Sequence, residues 1–223
     1  MRVLILPALL ALTACASMSP EECDATDWRY RGYSTGSVGG LSTEDDGRFV
    51  QCAEAGVRGD RAAYRAGYEE GLATYCTFEG VLSAALRGQG DVLRCPDPTY
   101  AMEEAYEVGF ALHSAERDRN AAEAAFEDAT GNFRRALREA DRLAAKIPQI
   151  DDPARRDELR REIDRLRSQA FREERRADEA RYAVRRASDR LYDAERRYER
   201  LRLRTRELKR LDAQERTNRD AAD

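Results

Sequence analysis

Two long stretches of the chain place apolar residues at alternating steps of three and four, and this repeat constrains the fold more than any other feature. From Ala101 the steps land on Ala105, Val108, Leu112, Ala115, Arg119, Ala122, Phe126, Ala129, Phe133, Ala136, Ala140, Leu143 and Ile147, so 13 of 14 positions are apolar. From Leu159 they run through Ile163, Leu166, Ala170, Glu173, Ala177 and Ala180 to Leu208, with 13 of 15 apolar. A period of 3.5 residues held for this long specifies a left-handed coiled coil. The segment between the runs is Ile147-Pro148-Gln149-Ile150-Asp151-Asp152-Pro153. Pro148 stops the first helix, while Asp152 as N-cap and Pro153 at the first helical position start the second. So short a connection makes the helices antiparallel neighbours. The expectation is a hairpin over 99–212, with helix 99–147, turn 148–152 and helix 153–212, then a disordered tail over 213–223.

Pairing positions whose numbers add to 306 sets a register in which large residues meet small ones. Phe126 then faces Ala180, Leu112 faces Ala194, Ala115 faces Leu191, Ala105 faces Leu201 and Ala140 faces Leu166. Such complementarity fills an alanine-rich seam. Arg119 and Glu173 break the stripe in different layers, where they specify register or snorkel to water. The seam is also satisfied by a homodimer of opened helices. The outer faces offer Asp157 with Arg161, Glu162 with Arg165 and Asp193 with Arg197 as ion pairs, with no lysine between 151 and 208. This reads as a solvated, salt-bridged surface; its sharper alternative is an arginine face for anionic head groups or peptidoglycan carboxylates.

The N-terminus sets a compartment. Met1-Arg2 precedes an apolar run from Val3 to Leu12, too short to span a hydrocarbon core of roughly 30 Å. Leu12-Thr13-Ala14-Cys15 fits a lipobox, which makes 1–14 a lipoprotein signal peptide, Cys15 the lipidated residue and 15–22 a tether. Ala16 in place of Asp favours the outer membrane, with the protein facing the periplasm and bound to the membrane through its lipid.

With Cys15 assigned to lipid, Cys23, Cys52, Cys76 and Cys95 form an even set inside a Cys/Gly/Tyr-rich region, 23–98. In an oxidising compartment they read as two disulfides. Three connectivities exist, and Cys23–Cys52 with Cys76–Cys95 encloses the shortest loops. A zinc site is disfavoured because no C-x-x-C knuckle is present. Residues 16–98 carry a charge of -6 and nearly all of the 14 glycines, whereas the chain from 151 carries +4 and no glycine. An aromatic-and-glycine phrase recurs as Gly32-Tyr33-x-x-Gly36, Tyr64-x-x-Gly67-Tyr68-x-x-Gly71 and Tyr106-x-x-Gly109-Phe110. A helix capped by Asp60 runs to about Tyr75, and repeated glycine within it needs a cause, since each costs about 1 kcal/mol relative to alanine. Gly67 and Gly71 on one face admit a second backbone while Tyr64, Tyr68 and Tyr75 pack around it; alternatively these tyrosines line a partner-binding groove for a sugar or peptide strand.

These residues, together with Cys23-Asp24, Asp27-Trp28, Cys52-x-x-x-Gly56-Val57, Gly88-x-Gly90 and Cys95-Pro96, resemble the proteobacterial lipoproteins catalogued as domain of unknown function 2799, over roughly 23–112. The resemblance implies an envelope location and a disulfide-bonded domain, and it implies no activity.

Chemistry-bearing groups are sparse. The one histidine, His113, has no cysteine or carboxylate constellation around it, and Glu44-Asp45-Asp46 and Glu69-Glu70 read as solvated turns rather than a calcium loop. No phosphate-binding loop or nucleophile elbow is present. A net charge of -4 argues against nucleic acid as a partner. The sequence therefore predicts a mainly α protein, a small disulfide-bonded helical domain followed by a long antiparallel coiled-coil hairpin, with no enzymatic activity, cofactor or metal. Its expected role is that of a structural or adaptor lipoprotein meeting an envelope protein or peptidoglycan; the alternative is a peptidoglycan-binding module or regulator of a cell-wall hydrolase. For the register, cysteines placed at 126 and 180 are expected to crosslink; crosslinking only at pairs offset by seven residues shows it to be wrong.

Overall fold

The computed structural model describes residues 18–220, with side chains to residue 210. The expected signal peptide over 1–14 and the expected lipidation site at Cys15 lie outside the described residues. All regular structure among the described residues is helical: α1 Pro20–Asp24, α2 Trp28–Gly36, α3 Asp46–Glu54, α4 Arg61–Tyr75, α5 Phe78–Ala85, α6 Tyr100–Ala144 and α7 Pro153–Asp220. The described residues divide into two units, one of 18–81 with 89–99, the other of 82–88 with 100–220.

In the first unit α1 opens inside the segment expected as tether. Ser19 and Glu22 close a capping box, the Glu22 amide donating to Ser19 Oγ and the Ser19 amide to Glu22 Oε2, with Pro20 at the start of the helix. Asp27 accepts from the Tyr30 amide to cap α2, and Asp60 accepts from the Ala63 amide to cap α4.

Helices α2 and α4 cross with their backbones in contact. A Cβ on Gly32 would lie 1.9 Å from the Tyr64 carbonyl oxygen, and one on Gly67 would lie 1.9 Å from that of Arg29. One turn on, Gly36 meets the Tyr68 carbonyl and Gly71 the Tyr33 carbonyl, each at 2.2 Å. Both helices carry Gly-Tyr-x-x-Gly, and every contact on one is repeated on the other 35 residues away, which gives the crossing a local two-fold symmetry. At each site the glycine hydrogen that replaces the side chain faces a carbonyl oxygen, the arrangement of a Cα–H···O contact.

Trp28, at the start of α2, stacks on Phe49 of α3 at 4.2 Å, and Phe49 meets Tyr64 of α4 edge-on at 5.6 Å. Cys23–Cys52 closes this cluster. At the other end of α4 the fully buried Tyr75 ring lies against Gly39 and Gly90. Both have positive φ, 68° and 77°, and a Cβ on either would overlap the ring. Cys76–Cys95 secures this end. The shortest-loop connectivity is thus the one formed. Closing loops of 29 and 19 residues is worth about 3–4 kcal/mol each in the chain-entropy account.

The second unit is the hairpin. Leu112 and Ala115 of α6 share a cluster with Leu191 and Ala194 of α7, as pairs adding to 306 require. Arg190 pairs with Asp118 at 3.2 Å and Arg204 with Glu104, which ties the two helices within two residues of that register. The buried seam is largely alanine: Ala105, Ala115, Ala129, Ala136 and Ala140 on α6, and Ala170, Ala187 and Ala194 on α7. Asp152 Oδ1 accepts from the Ala154 amide at 2.9 Å, so Asp152 and Pro153 open α7 as their types predict. The first helix ends at Ala144, and a 3₁₀ turn over Ile147–Gln149 carries Pro148. At the far end α7 continues to Asp220, past the boundary at 212 drawn from the sequence. At 1.5 Å per residue α7 is about 100 Å long.

The glycines predict opposite outcomes. Gly67→Ala drives a methyl group into a carbonyl and is expected to destabilise the first unit by about 3 kcal/mol or more. Gly131→Ala on α6, where a Cβ would meet only Arg135 Nη1 at 3.5 Å, is expected to stabilise by about 0.5–1 kcal/mol. Urea denaturation of the two variants checks both signs.

Candidate functional site

The tyrosines read from the sequence as packing or partner-binding groups are divided between core and cleft. Tyr75 is 0% exposed and Tyr64 5%, so neither presents a free aromatic face. Tyr68 is half-buried and donates its hydroxyl to the Gly40 carbonyl at 3.0 Å. Packing is therefore the role of Tyr75, while Tyr64 and Tyr68 both pack against the crossing and line a cleft. Burial pushes the Tyr64 phenol above its ordinary 10.0, and the charges of Asp45 and Glu44 add to the rise.

The acidic run also departs from its reading as a solvated turn. Asp45 is 6% exposed, and its Oδ1 accepts from Arg31 Nη1 at 2.8 Å and lies 3.1 Å from Arg48 Nε. Two guanidinium groups supply the compensation a buried carboxylate requires. The adjacent Asp46 pairs with Arg61 at 2.9 Å, and that guanidinium lies 4.3 Å above the Phe49 ring. No group of three or more potential metal ligands occurs among the described residues.

A cleft of about 270 Å³ opens in this unit between α4 and the loop ahead of α3. Phe49, Tyr64 and Tyr68 contribute its aromatic lining; Ser42, Thr43, Arg61 and Arg65 supply polar groups, with Asp46 beside Arg61. Arg61 and Arg65 sit one turn apart on α4 and so share a face. That spacing, beside Tyr64 and Tyr68, is the mark that the cleft leaves in the sequence. Ser42 and Thr43 come from a loop whose approach only the folded chain defines.

In the hairpin unit His113 packs against Gly88, where a Cβ would lie 2.4 Å from Nε2, so it serves as a packing residue. Of the surface pairs, Glu162–Arg165 forms, whereas Asp157 pairs with Arg160 at 3.0 Å instead of Arg161 because positions three and four residues away are both within reach. Arg119 turns along its own helix to Glu123 at 2.8 Å and stays 41% exposed. Glu173, 8% exposed, is held by Arg176 at 2.7 Å. Both seam exceptions are thus satisfied within their own helices.

A small α-helical domain held by two disulfides and a glycine-mediated crossing is the class of module defined by the first unit. Residues 27–111 match the family described as Protein of unknown function (DUF2799), in agreement with the resemblance carried by the cysteines and the Tyr-x-x-Gly phrase. No curated protein and no solved structure matches the chain.

The buried phenol yields a pH prediction. The unfolded chain releases the Tyr64 proton near pH 10, while the folded chain holds it to higher pH, so stability falls as pH rises above about 10. Tyr64→Phe is expected to reduce this alkaline loss, measured as the shift of the urea midpoint between pH about 9 and about 11.

Proposed function

We propose that the protein is a lipoprotein of the bacterial outer membrane, anchored through Cys15 and facing the periplasm, where its hairpin acts as a structural or adaptor arm rather than an enzyme. The observation that carries this reading is the hairpin. Two paired helices of 45 and 68 residues expose a long surface of charged side chains over an alanine-rich seam, which suits a spacer or docking arm. Two disulfides in the first unit favour an oxidising compartment, and the lipobox at Leu12-Thr13-Ala14-Cys15 supports the anchor. Among the described residues no helix is long and apolar enough to cross a membrane.

A second reading, a peptidoglycan-binding module or regulator of a cell-wall hydrolase, is favoured by the arginine- and tyrosine-lined cleft. Labelling with a radioactive fatty acid tests the anchor: the chain is expected to incorporate label, and Cys15→Ala is expected to abolish it. Co-sedimentation with purified peptidoglycan sacculi separates the two roles. Absence from the pellet disposes of the second reading, and retention favours it.

A further inference from the structure

We infer that the cleft beside α4 binds the carboxylate end of a small peptide-like ligand, with Arg65 as its anchor. Five other arginines of this unit already hold carboxylates: Arg29 holds Glu70 at 3.0 Å, Arg31 and Arg48 share Asp45, Arg61 holds Asp46 and Arg94 holds Asp91. The Arg65 side chain lines the cleft and forms no ion pair or hydrogen bond among the described residues. Its helical neighbour Glu69 lies one turn on, towards the C-terminus of α4. Helical side chains lean towards the N-terminus, which directs Arg65 over Arg61 and the cleft and away from Glu69.

The chemistry of the cleft selects among anions. Asp46 lies beside the site and is paired with Arg61, whereas the Arg65 guanidinium has no ion-pair partner of its own. A planar guanidinium matches a carboxylate with two parallel hydrogen bonds. Ser42 and Thr43 offer hydroxyl donors from the facing loop, and the edges of Phe49 and Tyr64 suit a methyl or methylene group next to the carboxylate. A volume of about 270 Å³ admits a unit of dipeptide size rather than a polymer chain.

This inference deepens the second reading above and is tested separately from it. Calorimetric titration of the purified full chain with N-acetyl-alanyl-alanine is expected to show binding about tenfold or more tighter than with the C-terminal amide of the same dipeptide. Arg65→Ala is expected to lose that preference, and Arg65→Lys to keep part of it through charge alone. Glu69→Gln is expected to leave it unchanged. Arg65 is exposed, so its loss leaves the fold intact, and an unchanged urea midpoint verifies this. Equal binding of acid and amide, binding of inorganic phosphate or chitobiose in preference to the dipeptide, no binding of any probe, or an unaltered Arg65→Ala variant would each overturn the inference. Sacculi retained by a chain that ignores the dipeptide defeat this inference alone; dipeptide binding without sacculus retention defeats the second reading alone.

Discussion

The first unit depends on the contact between α2 and α4, where four glycines let two backbones meet without intervening side chains. Carbonyl oxygens of one helix occupy the places that Cβ atoms of the other would need, at 1.9 Å and 2.2 Å. No other residue type permits this, because a single methyl group pushes the helices apart. The close approach is favoured by dispersion and Cα–H···O contacts, and it offsets the conformational cost of glycine within the helices.

The flanks of the crossing follow from it. With no side chains between the axes, the aromatic groups collect at its edges: Trp28, Phe49 and Tyr64 beside the Cys23–Cys52 bridge, and Tyr75 beside Cys76–Cys95. A unit this small has little apolar surface to bury, which is why disulfides matter to it. Its buried carboxylate is equally local, since Asp45 is neutralised by Arg31 from α2 and Arg48 from α3. Arg65 takes no part in these pairings, and it adds an unpaired guanidinium to the lining of the neighbouring cleft.

The hairpin answers to different physics. Its seam buries alanines between α6 and α7, so its stability comes from many small contacts repeated along two helices rather than from one dense core. Arg119 and Glu173, the two charged residues on that seam, are satisfied within their own helices and ask nothing of the partner helix. The outer surface carries ion pairs at helical neighbour spacing, individually weak and strongly solvated, and these hold the helices in solution more than they hold the fold together.

The sequence by itself determined the hairpin. A 3.5-residue apolar period, Pro148 and the Asp152-Pro153 start are local signals, and the register adding to 306 emerges because large and small residues alternate along both runs. It also pointed to a close approach at Gly67 and Gly71, with a tyrosine-lined groove as the alternative, and the contact of their Cα atoms with α2 carbonyls decided between the two. Only the tertiary structure decided that α2 is the partner, that Asp45 is buried rather than solvated, and that Ser42 and Thr43 stand opposite Arg65. The physical reason is the range of the forces involved. Periodicity and capping act between residues three or four apart, where spacing in the chain reports distance in space. A helix crossing, a buried ion pair and a cleft join residues tens of positions apart, and their geometry exists only once the intervening backbone has closed around them.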